Sequence, residues 1–119
     1  MIDGLDPSVW AGLHELPVAD CIELIDLYVE TSHTLLAELW TATDTGNVAA
    51  FRSLVHQLKG SSASLGVQAL QSLCEALDEQ GRAGTLTDLA AALQRIEAAH
   101  GEGLRALAAQ RASLDMRTR

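Results

Sequence analysis

Residues 48–66 read VAAFRSLVHQLKGSSASLG, and the spacing of their apolar side chains decides the fold class. These side chains recur three and four positions apart, which is the period of an amphipathic α-helix and not of a strand. The stripe consists of Phe51, Leu54, Val55, Leu58, Ser62 and Leu65. Asn47 suits the N-cap of a helix, and Gly46 and Gly66 suit the left-handed position after one. The sequence therefore predicts a helix that begins at Val48 and ends at Gly66.

Three further segments of the chain show the same helical period. One spans residues 17–43, the next follows Gly66 and is broken by the stretch 81–84, and the last begins near Thr85, which with Asp88 resembles a capping box. Short connections between long helices favour antiparallel neighbours. We therefore predict an all-α fold, an antiparallel up-down four-helix bundle.

The two ends of the chain are expected to differ from this core. Residues 6–8 read DPS, a capping residue followed by proline, which predicts a short additional N-terminal helix over residues 8–14, lying across one end of the bundle. Residues 113–119 form a polar tail that is expected to fray. The whole chain, residues 1–119, fits a single domain whose core covers about residues 18–110.

The composition supports a helical domain and excludes several functional classes. Leucine and alanine, with 20 and 19 residues, far outnumber the strand-forming valine and isoleucine. The net charge is −8 and no lysine or arginine precedes Arg52, so we expect neither nucleic acid nor an anionic membrane surface as a partner.

The sequence also indicates where the protein resides. It has no apolar run long enough to span a membrane and no secretory signal at its start, so we expect a cytoplasmic protein. The initiating Met1 and the basic tail favour a free-standing protein over a domain cut from a larger one. Cys21 and Cys74 match no disulfide or metal-binding pattern and are expected to be buried, free thiols.

One histidine of the predicted 48–66 helix lies on the side opposite the apolar stripe. At about 100° per residue, His56 falls roughly 150° from the centre of the stripe. Its neighbours on that face are cationic or small, namely Arg52, Ser53, Lys59, Gly60 and Ala63. They include the single lysine of the chain and a glycine, which costs a helix interior about 1 kcal/mol relative to alanine. An exposed imidazole that has cations and small side chains beside it is suited to hold an anion on its nucleophilic nitrogen.

The run His56–Gly66, HQLKGSSASLG, resembles the signature of histidine-containing phosphotransfer (HPt) domains. Residues 21–47 and 67–84 are also similar to the flanking helices of that family, so the resemblance covers about residues 18–107. It implies a four-helix bundle that takes a phosphoryl group from an aspartate of one response-regulator receiver domain and passes it to an aspartate of another. We expect no autokinase activity, because the sequence has no nucleotide-binding loop and no kinase signature.

The resemblance also implies a role for individual residues. His56 is the phosphorylated residue, through Nε2, while Lys59 steadies the phosphoryl oxygens and Gly60 leaves room for the incoming receiver domain. Ser61 matches a small polar residue that lies near the imidazole in some members. Asp78 stands where several members have a glutamine that holds the other imidazole nitrogen, and its carboxylate is expected to accept a hydrogen bond from Nδ1.

The expected partners are response-regulator receiver domains and a hybrid sensor kinase. Arg52 and Ala63, on the same face as the histidine, are expected to contact the docked partner. The protein needs no cofactor of its own, because the receiver domain supplies the magnesium ion and most of the stabilisation of the transition state. One exposed site per chain is consistent with a monomer.

Two other functions remain compatible with a helical bundle. Glu30 with His33 and Glu97 with His100 show the E-x-x-H spacing of di-iron carboxylate proteins, but residues 48–65 contain no acidic residue to complete such a site. We therefore expect no metal centre, and we predict that His100, on an apolar stripe, is buried in the core. The second alternative is an adaptor, a degenerate family member that docks receiver or kinase domains without phosphotransfer.

Overall fold

The computed structural model describes residues 4–117, and four long helices account for most of them. The helices are α1 (Pro7–Leu13), α2 (Val18–Asp44), α3 (Val48–Ser64), α4 (Gln68–Ala83) and α5 (Leu89–Arg117). Helices α2 to α5 pack in a closed ring, each against the next and α5 against α2. Within the described part, the backbone forms no strand beyond one isolated bridge. The predicted all-α four-helix bundle with a short N-terminal helix is confirmed.

The connections on both sides of α3 form as their residues predict. Gly46 has a φ of +64°, in the left-handed region that side chains disfavour, and Asn47 accepts a hydrogen bond from the backbone N–H of Ala50 at 3.0 Å. Gly66 also has a φ of +64° and follows the end of α3. Because these signals are local, α3 begins at the predicted residue and ends within two residues of the predicted end.

The boundary between α4 and α5 agrees with the prediction at the end of α4 and differs from it at the start of α5. Helix α4 ends at Ala83, within the stretch 81–84 that was expected to break it, and Gly84 follows with a φ of +74° in the left-handed region. The carboxylate of Asp88 accepts a hydrogen bond from the backbone N–H of Ala91 at 3.0 Å, and so caps α5 by itself. Thr85 forms no capping box with it, since the Thr85 hydroxyl donates to the carbonyl of Gln80 in α4.

The C-terminal segment does not fray over the described residues, contrary to the prediction. Helix α5 extends to Arg117, and Leu114 is only 2% exposed. One turn earlier, Arg111 donates two hydrogen bonds of 2.7 and 2.9 Å to the carboxylate of Asp26 in α2. Burial of Leu114 offsets the entropy lost on ordering this segment. Of the predicted polar tail, only residues 118–119 lie outside the described part.

The N-terminal helix covers the connection between α3 and α4. Asp6 caps α1 by accepting a hydrogen bond from the backbone N–H of Ser8 at 2.9 Å. The indole of Trp10, only 2% exposed, donates from Nε1 to the carbonyl of Leu65 at 2.7 Å. Helix α1 therefore closes one end of the bundle, within one residue of the predicted bounds.

Buried polar groups in the core find partners inside the protein. His100 is 4% exposed, as predicted, and its Nε2 lies 2.8 Å from the hydroxyl of Ser32. The hydroxyls of Tyr28 and Ser62 lie 2.9 Å apart and join α2 to the buried face of α3. These pairs satisfy groups whose burial without a partner would be costly.

Both cysteines, Cys21 and Cys74, are buried and free, as predicted. Burial raises the pKa of Cys74 to about 12, so this thiol stays protonated and unreactive at neutral pH. None of the described helices is both long enough and apolar enough to cross a lipid bilayer.

Candidate functional site

The imidazole of His56 is exposed on the outer face of α3. Its side chain keeps 69% of its accessible surface, whereas Phe51 and Leu58 on the opposite face of the helix are fully buried. The apolar stripe packs against α2 and α4, and this packing turns His56 outward. The orientation predicted from helical periodicity is confirmed.

The carboxylate of Asp78 reaches the same place from the neighbouring helix α4. Its Oδ2 accepts a hydrogen bond from Nζ of Lys59 at 3.1 Å, and the same oxygen lies 3.8 Å from Nδ1 of His56. The second distance is longer than a hydrogen bond, so the expected bond with Nδ1 is not formed and the carboxylate acts on the imidazole through its charge. The Asp78 side chain is only 12% exposed, so most of it lies against α3 and not in solvent.

The electrostatics of the site centre on this carboxylate. The hydrogen bond from Lys59 is the main cause of a lowered pKa at Asp78; burial opposes it, and the charges of Lys59, Arg82 and His56 add to the lowering. Asp78 is therefore ionised at neutral pH. The site combines an imidazole, an ammonium group and a carboxylate, and the last two neutralise each other.

The surface beside His56 is open on the side of Gly60. A Cβ added at Gly60 would meet no atom within 4 Å, so no close helix crossing explains this glycine among residues 4–117. Ala63 is half-buried on the same side of α3 and has a short side chain, so no large group protrudes there. The structure thus leaves an uncovered patch next to the imidazole, as the sequence predicted.

The structure does not bring Ser61 to the imidazole. Its hydroxyl donates to the carbonyls of Gln57 and Leu58 in its own helix, both at 3.3 Å. No hydrogen bond joins Ser61 to His56, although both side chains belong to the described part of the chain.

Arg52 lies one turn before His56, in a groove that Asp78 also lines. Its side chain lies over Gly81 of α4, where an added Cβ would come within 2.8 Å of Cδ of Arg52. The Nε of Arg52 is buried and has no hydrogen-bond partner among the described residues. Gly81 was missed as a site residue by the sequence analysis. The available signal was a glycine inside a helix, where it costs about 1 kcal/mol relative to alanine.

The two E-x-x-H pairs are only partly brought together. The rings of His33 and His100 meet edge to face, with centroids 5.4 Å apart, but Glu30 is exposed to solvent. Over residues 4–117, no group of three or more histidine, cysteine, aspartate or glutamate side chains is placed to hold a metal ion.

Comparison with known proteins places this geometry in a family. The family model of the Hpt domain matches residues 23–112. The chain belongs to the Hpt family. The crystal structure of histidine-containing phosphotransfer protein B (HptB) from Pseudomonas aeruginosa PAO1 is similar to this Hpt protein with a TM-score of 0.85 and 27% sequence identity, over 95% of this chain and 98% of that one. Among curated proteins, none matches the sequence. Membership of the Hpt family makes this chain a histidine phosphotransfer protein of the phosphorelay type.

Proposed function

We propose that this Hpt protein carries a phosphoryl group on Nε2 of His56 between aspartates of response-regulator receiver domains. The proposal rests on one arrangement, an imidazole that is 69% exposed and whose Nδ1 faces the carboxylate of Asp78 at 3.8 Å. A negative charge on that side favours the tautomer that carries its proton on Nδ1. The lone pair is then on Nε2, which is the nucleophile.

The transfer step follows from this tautomer. The Nε2 lone pair attacks the phosphorus of an aspartyl phosphate; the bond from phosphorus to the aspartate oxygen breaks, and its electron pair stays on the carboxylate. The ring keeps its proton on Nδ1 and becomes a cation, which the charge of Asp78 stabilises. In the second transfer a carboxylate oxygen of the next receiver domain's aspartate forms a bond to the phosphorus, while the N–P bond breaks and its electron pair returns to Nε2. The receiver domain supplies the magnesium ion, and this protein contributes no cofactor.

The other residues of the strip support the phosphoryl group or admit the partner. Lys59 offers an ammonium group to the phosphoryl oxygens. Gly60 and Ala63 form the uncovered patch on which the receiver domain docks, and Arg52 offers a guanidinium at the edge of this patch. A role for Ser61 requires its hydroxyl to leave the helix carbonyls to which it now donates.

The phosphoryl group in this proposal originates from a hybrid sensor kinase and arrives through a receiver domain, since the sequence contains no nucleotide-binding loop. The protein acts as a carrier and not as an autokinase. We place it in the cytoplasm, where the receiver domains of such relays act, and propose that it works as a monomer with one site.

The experiment is phosphotransfer from a panel of radiolabelled, phosphorylated receiver domains to the wild type, to His56→Gln and to His33→Gln. His33→Gln is the matched control, because it removes another exposed histidine. We expect acid-labile, base-stable label on the wild type and on the control, and none on His56→Gln. Binding of a receiver domain to the wild type, with no label transferred from any member of the panel, would establish the adaptor function instead.

A further inference from the structure

A single oxygen atom of Asp78 faces two groups that are able to bear positive charge. Oδ2 accepts the hydrogen bond from Nζ of Lys59 at 3.1 Å and lies 3.8 Å from Nδ1 of His56. The side chain is 12% exposed, so water only partly screens it. The other cation that acts on Asp78 is Arg82, whose guanidinium donates to Glu79 at 3.2 Å. Lys59 and His56 are therefore the two groups that compete for this oxygen.

Phosphorylation of His56 changes the outcome of that competition. A phosphoryl group brings a charge of about −1.5 to −2 and three acceptor oxygens. Lys59, three residues further along α3, then has a second anionic partner with more charge than the carboxylate, and the Coulomb attraction grows with that charge. When Lys59 leaves, the carboxylate of Asp78 is free for Nδ1–H of the ring, which is already 3.8 Å away.

We propose that Asp78 is a positioning residue that exchanges counter-ions during phosphotransfer. It holds Lys59 while His56 is unphosphorylated, and it releases Lys59 to the phosphoryl oxygens and turns to Nδ1 once His56 is phosphorylated. This exchange rests on the proposed function, because it requires that His56 be phosphorylated. Its consequence is that Asp78 stabilises a different cation in each state, Lys59 before phosphorylation and the ring of His56 after it, so its effect on the phosphorylation equilibrium depends on Lys59.

The exchange predicts how the phosphorylation equilibrium responds to substitution. Asp78→Asn keeps the size of the side chain and removes the ion pair. It also removes the charge that stabilises the phosphorylated ring, so in the wild-type background the two losses oppose each other and the equilibrium with a receiver domain should change by less than about twofold. In a Lys59→Met protein only the second loss remains, so Asp78→Asn should shift the equilibrium away from phosphorylated His56 by about two- to five-fold, the size of a partly exposed ion pair. An equal shift in both backgrounds would show that the effect of Asp78 does not depend on Lys59, and would overturn the exchange.

A spectroscopic experiment follows Lys59 directly. Lys59 is the only lysine of the chain, so the ¹⁵N resonance of its ammonium group needs no assignment. His56 is phosphorylated with phosphoramidate, a small donor that reacts with accessible imidazoles without a receiver domain. The samples are the wild type, Asp78→Asn, His56→Gln, and Glu75→Gln as the matched control, which removes an exposed negative charge from the same helix α4.

Before phosphorylation, we expect the lysine resonance of Glu75→Gln to match the wild type and that of Asp78→Asn to differ. After phosphorylation, the three should converge, because Lys59 binds the phosphoryl group in each, while His56→Gln should not change. A wild-type resonance that stays in place on phosphorylation of His56 would overturn the exchange. If Lys59 moves but no receiver domain transfers a phosphoryl group, the proposed function fails and the exchange stands.

Discussion

Arg52 on α3 and Gly81 on α4 fit against each other without room for another atom. The side chain of Arg52 crosses α4 where Gly81 has none, and a Cβ at this position would come within 2.8 Å of Cδ of Arg52. The contact buries Nε of Arg52, whose side chain lines the same groove as His56. It thereby relates the position of a charged side chain in the site to a glycine in the neighbouring helix.

Gly81→Ala is expected to have different effects in two backgrounds. In the wild type, the added Cβ displaces Arg52, which offsets the gain of about 1 kcal/mol that alanine brings to a helix interior. In an Arg52→Ala protein the obstruction is gone, so the same change should raise the free energy of unfolding by about 1 kcal/mol. Urea denaturation of the four proteins forms a double-mutant cycle. Equal increments in both backgrounds would contradict the fit between the two residues.

Gly60→Gln should separate partner docking from folding. A glutamine fits at this position, because a Cβ there meets no atom within 4 Å, and its helix propensity should raise the free energy of unfolding by about 0.5–1 kcal/mol. The longer side chain covers the docking patch, so the rate of transfer from a phosphorylated receiver domain should fall about tenfold, equivalent to about 1.4 kcal/mol. Ala98→Gln, on the exposed face of α5, is the control. A transfer rate equal to that of the control would rule out the steric role of Gly60.

Lys59→Ala should slow transfer without abolishing it. The substitution removes one charged contact with the phosphoryl oxygens but leaves the nucleophile in place, and we expect about a tenfold loss in rate. Arg95→Ala, which removes an exposed cation from α5, controls for the change in net charge. Rapid-quench measurements with a phosphorylated receiver domain give the rates. If Lys59→Ala transfers as fast as Arg95→Ala, the ammonium group has no part in the reaction.

The stability of the bundle should fall below pH 6.5 because of His100. Burial lowers the pKa of this imidazole from 6.5 to about 4, and the charge of His33 contributes to the lowering. Between these two values the unfolded chain binds a proton that the folded protein does not, so the free energy of unfolding decreases as the pH falls. From pH 7.5 to 5, this group accounts for a loss of about 2 kcal/mol.

Urea denaturation over that pH range measures the effect. His100→Gln loses the buried imidazole and should therefore show a weaker dependence of stability on pH than the wild type, whatever its stability at pH 7.5. The same slope in both proteins would mean that other groups cause the loss.

The sequence predicts best what depends on neighbours along the chain. The bounds of α3 follow from Asn47 and Gly66, and the outward direction of His56 follows from a period of 3.6 residues per turn. The end of α5 could not be predicted in this way, because it depends on the burial of Leu114 within the folded bundle. The start of α5 was missed because the Thr85 hydroxyl has an alternative acceptor in α4, the carbonyl of Gln80.

The sequence by itself determined the helical bundle, the exposed His56 with Lys59 and Gly60 beside it, and the run HQLKGSS by which the family is recognised. Each of these features follows from the residues of a single helix or from the helical period of the apolar side chains. Only the tertiary structure decided that Asp78 binds Lys59 and not Nδ1 of His56, and that Gly81 accommodates Arg52. Both relationships join α3 to α4, and the rotation and axial offset of two packed helices depend on the fit of side chains along their whole interface. No local pattern within either helix specifies them.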